Sequence, residues 1–141
     1  MKKIIISLLF ISSVIFVIAQ VEKQKSTEHK IVFQLSNNDT MAHKALMKQL
    51  GNITSVAPNT KIEVVCHGPG LDMLVVDKST VNQKVSYFAE RGIAFLACEF
   101  SMSERKVEKE KITKDASFVK AGIIEIVSKQ EQGWSYIKSG F

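Results

Sequence analysis

The sequence predicts a three-layer α/β/α domain built on a mostly parallel sheet. Three observations carry this. Short apolar, β-branched runs recur at residues 31–35, 61–67 and 93–98; segments with apolar residues three and four apart lie between them; and glycine, proline or capping residues mark the joins. Strands alternating with helices require crossover connections, and right-handed crossovers leave few topologies.

The amino terminus is of a different kind. Lys2 and Lys3 precede residues 4–18, in which Ser7, Ser12 and Ser13 are the polar members, and Ala19 offers a small residue at a cleavage position. Basic start, apolar middle and small cut site are the parts of a secretory signal, so cleavage after Ala19 is expected. The alternative is an uncleaved segment tethering the protein to a membrane. Against it, a fifteen-residue helix rises only about 22 Å, whereas a hydrocarbon core is about 30 Å thick. The organisation expected is a signal peptide over residues 1–19, a polar tether over 20–29 and one domain over 30–141, exported and most simply periplasmic, with no membrane contact after cleavage.

The 141 residues are 45% apolar and 23% charged, too few for two ordinary domains and too apolar for disorder. Loss of Lys2 and Lys3 from 19 basic residues, against 14 acidic, brings the formal charge from +5 to +3. With no basic stripe interleaved with aromatics, nucleic acid is not an expected partner.

Ile31 to Leu35 reads as the first strand, and Ser36-Asn37-Asn38-Asp39 as a turn able to cap a helix. Met41, Ala42, Ala45, Leu46, Leu50 and Ile53 make that helix amphipathic to about Val56, before Pro58. Lys61 to His67 offers Ile62, Val64, Val65 and Cys66, nearly continuously apolar and β-branched, which suits a strand covered on both faces. Ser79 is placed to cap a helix inward through Val81, Val85, Phe88 and Ala89, with Gly92 as its left-handed stop and Ile93 to Cys98 as the third strand. Residues 104–115 alternate Lys and Glu around Val107 and Ile112, as in short solvated turns. Phe118-Val119 reads as a short strand, and Ala121 to Gln132 as a helix with Ile123, Ile124, Ile126 and Val127 inward. Trp134 to Ile137 is the last strand.

Ligands of such folds gather beyond the carboxyl ends of the strands. Asn38 and Asp39 follow the first strand, where helix capping already accounts for them. His67-Gly68-Pro69-Gly70 ends the second, and its glycines permit either a tight turn or free N–H groups around an anion. It is no nucleotide motif, because position 73, where GxGxxG needs its third glycine, is Met. His67 is a candidate proton carrier, although a hydrogen-bonded structural histidine is the commoner occupant of a strand end.

Cys98 ends the third strand, and Ser101 and Glu104 just beyond it have capping-box spacing. A thiol near a helix N-terminus is favoured as thiolate, while the adjacent Glu99 opposes ionisation. By spacing alone, an unpaired cysteine there is more often a small hydrophobe. Cys66 and Cys98 also end two strands at one edge, so a disulfide is open if those strands are neighbours. His29 and His43 fall in the tether and first helix, so no metal site is expected, nor any cofactor.

His67-Gly68-Pro69-Gly70-Leu71, Gly92 to Cys98, and Gly122 to Lys138 with its Gln132-Gly133-Trp134 turn together resemble the DsrE/DsrF-like family over residues 30–138. The resemblance implies a five-stranded parallel sheet in an α/β/α sandwich, a homo-oligomer that is a trimer or hexamer, and sulfur carried as a persulfide on Cys98. It also implies a sulfur donor or acceptor protein as partner. Phe100-Ser101 stand where similar proteins often have Asn-Thr. The leading expectation is a sulfur carrier or sulfurtransferase-like protein with Cys98 as sulfur-accepting nucleophile and His67 assisting proton transfer. Asn38, Asp39, Gly68, Pro69, Gly70 and Ser101 are the expected lining. The rival is a non-catalytic oligomeric module binding a small anion or a partner, its cysteine structural; whether the protein is an enzyme is open between them.

Overall fold

A computed structural model describes residues 28–140. The expected signal peptide and most of the tether lie outside the described residues. The chain runs β1 (Lys30–Leu35), α1 (Thr40–Val56), β2 (Lys61–Cys66), a 3-10 turn (Gly68–Met73), α2 (Asn82–Ala89), β3 (Ala94–Cys98), α3 (Glu99–Arg105), a second 3-10 turn (Lys109–Lys111), β4 (Ala116–Val119), α4 (Gly122–Glu131) and β5 (Ser135–Ser139). All neighbouring strands are parallel, in the order β4-β3-β2-β1-β5, as expected of a five-stranded α/β sandwich.

This order places the helices. Moving from β1 to β2 to β3, the chain steps one way across the sheet, and right-handed crossovers put α1 and α2 on one face. From β4 it must return past three strands to reach β1's free side, which sends α4 to the opposite face.

The two faces are unequal. On the α1/α2 face Phe33, Leu35, Ile62, Val64, Cys66, Phe95 and Ala97 pack against Leu46, Met47, Leu50, Val85 and Phe88 in one large core. Each fully buried side chain of this kind contributes roughly 1.5–3 kcal/mol, so this face carries most of the stability. Across the sheet only Val32, Val65, Leu96 and Ile126 are buried together, with Val119 and Trp134 against them.

Local signals account for the ends of several elements. The Asp39 carboxylate caps α1 by accepting from Met41 N at 2.8 Å, and Gly92 turns the chain into β3 at φ 88°. Other expectations are corrected. Ser79 precedes α2 by a turn, accepting from Val81 N at 3.2 Å, and α2 starts after Val81 with no side-chain cap. Met41 and Ala45 of α1 are exposed.

The largest correction concerns α4. Of its four expected inward residues only Ile126 is buried; Ile123, Ile124 and Val127 are 52%, 62% and 42% exposed. The face turned to the sheet is instead Gly122, Glu125, Ile126 and Lys129, because the missing side chain at Gly122 admits β2 and β3, and Lys129 meets a buried carboxylate. That carboxylate is Glu63 of β2, 5% exposed, with Oε2 2.7 Å from Lys129 Nζ.

Candidate functional site

Strand parity decides which residues can meet. Cys66 stands in register with Ala97, so Cys98, one residue on, points to the other face of the sheet. Cys66 joins the large core, whereas Cys98 faces α4, and both are free thiols. The disulfide left open by sequence is therefore excluded: the strands are neighbours, but the two side chains lie on opposite faces.

Val65 and His67 alternate to the same face as Cys98, and the start of α4 closes over all three. A β-carbon added at Gly122 would stand 3.0 Å from Val65 Cγ1, 3.2 Å from His67 Cβ and 3.3 Å from Cys98 Cβ. The two candidate catalytic residues thus flank one glycine.

Cys98 is 4% exposed and is the residue from which α3 starts. Gly122 N–H, opening α4, donates to its sulfur at 3.2 Å. Burial alone would push the thiol up. Hydrogen bonds from the Ser101 hydroxyl and from the backbone N–H groups of Gly122 and Ser101 outweigh it and bring the thiol below its ordinary value. Cys66, with burial unopposed, is pushed far up. Glu99 does not oppose Cys98 as its adjacency implied, because its carboxylate turns to Lys109 at 2.9 Å and Lys120 at 3.7 Å.

Ser101 is not a helix cap; it lies inside α3, buried. Its Oγ accepts from Gly68 N at 2.8 Å while the hydroxyl serves the Cys98 sulfur, so one side chain ties the β2 turn to the thiol. The turn itself is a 3-10 helix whose N–H groups are spent within the fold: His67 N on Leu35 O, Gly68 N on Ser101 Oγ, and Gly70 N on His67 O. It is not an anion cradle. Gly70 is required by packing, since a β-carbon there would fall 2.2 Å from Leu35 O. Pro69 is exposed at the first turn. Asp72, at the far end, accepts from Arg105 Nη2 at 2.8 Å and Lys78 Nζ at 3.1 Å. Against burial, those bonds hold its carboxyl below the usual range and fasten the turn to α3.

Asn38 and Asp39 are not drawn into this cluster. Both are exposed, and the Asp39 carboxylate is committed to the start of α1, on the other side of the sheet.

Two residues beside His67 were not anticipated. Gln34 Nε2 lies 2.7 Å from His67 Nε2, and the Tyr136 hydroxyl donates to Gln34 Oε1. Burial shifts His67 downward, toward the neutral ring. Gln34 carried a signal in being the polar member of the apolar run 31–35, whereas Tyr136 becomes its neighbour only because β5 pairs with β1.

Among the described residues no group of three or more His, Cys, Asp or Glu is arranged to hold a metal ion, and no helix is long and apolar enough to cross a membrane. Residues 4–18, where a tether would lie, are outside that search.

The model of the DsrE/DsrF-like family matches residues 13–139. Among solved structures, the chain is similar to MTH1491, a protein of unknown function from Methanobacterium thermoautotrophicum, at 25% identity and TM-score 0.75 over 79% of this chain and 99% of that one. It is also similar in fold to BT1422, a conserved protein of unknown function from Bacteroides thetaiotaomicron, at 14% identity and TM-score 0.64 over 81% of this chain and 97% of that one. No curated protein matches.

Proposed function

The chain belongs to the DsrE/DsrF-like family, which is implicated in sulfur relay, and from that premise we propose that it is an exported sulfur carrier whose Cys98 holds sulfane sulfur as a persulfide. The observation that supports this most directly is the donor set on Cys98, in which two segment starts and a hydroxyl converge on one sulfur and outweigh its burial. A structural cysteine needs no such donors, as Cys66 illustrates.

The chemistry balances without an oxidant. Cys98 thiolate attacks the sulfane sulfur of a persulfide donor, RS–SH; the new S–S bond forms as the donor's breaks, and the donor departs as thiolate, RS⁻. Thiosulfate serves in the same way, with sulfite as leaving group. The donors that hold Cys98 as thiolate are placed to favour the anionic persulfide that follows. His67, beside the same glycine, is the group that accepts or returns a proton as donor and acceptor exchange. Within one chain no disulfide competes for Cys98 in an oxidising compartment, because Cys66 faces the other way.

The same reading includes assembly into a trimer or hexamer and docking of a sulfur donor or acceptor protein. In its support, Ile123, Ile124 and Val127 form an exposed apolar strip on α4, and Phe100 is exposed at the start of α3.

Incubation of the mature protein with polysulfide or thiosulfate, followed by intact mass measurement, tests the proposal. A gain of about 32 Da, one sulfur atom, that is lost in Cys98→Ser and kept in Cys66→Ala is the expected result. No gain in wild type, or a gain that survives Cys98→Ser, overturns it and leaves the non-catalytic binding module.

A further inference from the structure

The hydrogen-bonded line Tyr136–Gln34–His67 spans three strands of the sheet, β5, β1 and the end of β2, and ends at His67, whose β-carbon stands with that of Cys98 against Gly122. Gln34 lies on the α4 face of β1, in register with Val65 on one side and Lys138 on the other. The line has a direction. With Gln34 Oε1 turned to the Tyr136 hydroxyl, the amide NH2 is the end that meets His67 Nε2, and in that arrangement the ring nitrogen is the acceptor. A ring that accepts at Nε2 carries its proton on Nδ1 and is neutral.

The choice of an amide matters chemically. A carboxylate in the same place would favour the imidazolium, whereas an uncharged amide that donates to Nε2 favours the neutral ring. The titratable groups around His67 are the Cys98 thiol beyond Gly122, Tyr136 behind Gln34, Lys138 on β5, and Glu125 one turn into α4, the last paired with Lys129. No hydrogen bond or ion pair of His67 to a carboxylate exists among the described residues.

We propose that Gln34 is a positioning residue for the sulfur site: oriented by Tyr136, it holds His67 as the neutral ring protonated on Nδ1, so that Cys98 is activated by hydrogen bonds and not by an imidazolium. The inference rests on the sulfur-carrier reading for its purpose but not for its test. A histidine kept neutral is able to take a proton from an incoming persulfide, which an imidazolium cannot do.

The experiment uses the mature protein without any sulfur donor, so its failure is distinct from failure to form the mass adduct. Long-range ¹H–¹⁵N spectra of the imidazoles, with His67 assigned through His67→Asn, are followed against pH beside the rate of Cys98 alkylation. Wild type is expected to show the Nδ1–H neutral ring at neutral pH. Gln34→Glu is expected to raise the His67 midpoint by about one pH unit or more and to move the Cys98 alkylation midpoint to lower pH by about one unit. Tyr136→Phe, which keeps the ring packing, should mix the two neutral tautomers, and it decides the matter if Gln34→Glu does not fold. An Nε2–H ring in wild type, or His67 and Cys98 midpoints unmoved in Gln34→Glu, overturns the proposal, as does an unmixed Nδ1–H ring in Tyr136→Phe.

Discussion

The backbone N–H of Gly122 donates to the sulfur of Cys98 at 3.2 Å, joining the first residue of α4 to the last of β3. The approach depends on the missing side chain, because any β-carbon at position 122 would press on Val65, His67 and Cys98 together. Gly122→Ala is expected to lower stability by up to about 2 kcal/mol: overpacking costs about 1–3 kcal/mol, and the helix preference of alanine returns about 1. Urea unfolding reads the loss, and Cys98 alkylation at fixed pH should slow as the N–H withdraws. An unchanged midpoint and rate would mean that α4 simply shifts outward.

Ser101→Ala tests the second donor. Cys98 loses the hydroxyl, and the Gly68 N–H loses its acceptor, so the alkylation midpoint should rise by about half to one pH unit. Stability should fall by about 1 kcal/mol. The sign of the pH dependence follows from the lowered folded value. Cys98 contributes stability that is complete above the unfolded thiol value, near 9.0, and is lost as pH falls through the lower folded value. Wild type should therefore gain on Cys98→Ser as pH rises through that window, and a gap that stays constant across it would contradict the donor set.

Cys66 and Cys98 should differ sharply toward a small alkylating reagent. Cys66 is in the large core with its thiol pushed up by burial, so native protein should label once, at Cys98, and denatured protein twice. Double labelling of native protein, or none, counts against the assignment. Cys66→Ala removes one buried sulfur and should cost about 1 kcal/mol while leaving sulfur loading intact.

Where the sequence was informative, the signal was local. The runs 31–35, 61–67 and 93–98 are dominated by apolar and β-branched residues and read as strands, and Cys98 was marked by ending one of them. Gln34 and Tyr136 were not legible as a pair, because their meeting depends on β5 returning to β1, a long-range pairing that no local pattern encodes. The face of α4 was misread for a related reason. Counting apolar residues favoured Ile123, Ile124 and Val127, but the helix is set by a glycine that fits and a lysine that neutralises Glu63. Glu63 was itself a flag, a lone carboxylate in a strand otherwise apolar from Ile62 to Cys66.

That carboxylate makes the last prediction. Glu63 Oε2 meets Lys129 Nζ at 2.7 Å, Oε1 is buried with no hydrogen-bond partner, and Lys129 also reaches Glu125 at 3.4 Å and lies 4.7 Å over the Trp134 ring. Burial, with the neighbouring Glu125 carboxylate adding to it, raises the Glu63 carboxyl against the pull of Lys129. A carboxyl whose folded value stands above its unfolded one binds its proton more tightly in the fold. Its contribution is therefore most favourable below the unfolded value, near 4.5, and is lost as pH rises through the folded value. Wild type should lose stability relative to Glu63→Gln as pH rises from about 4.5 toward neutrality, with the gap constant above the folded value. Lys129→Met leaves the carboxylate buried without its cation and should cost about 2–3 kcal/mol at neutral pH, less than a fully buried pair would because solvent reaches Lys129. It should also raise the Glu63 midpoint, so that the loss of stability relative to the Glu63→Gln, Lys129→Met double variant extends to higher pH. Urea unfolding of the four proteins across that range measures both effects, and identical pH slopes in wild type and Glu63→Gln would remove Glu63 as the anchor that holds α4 over Cys98.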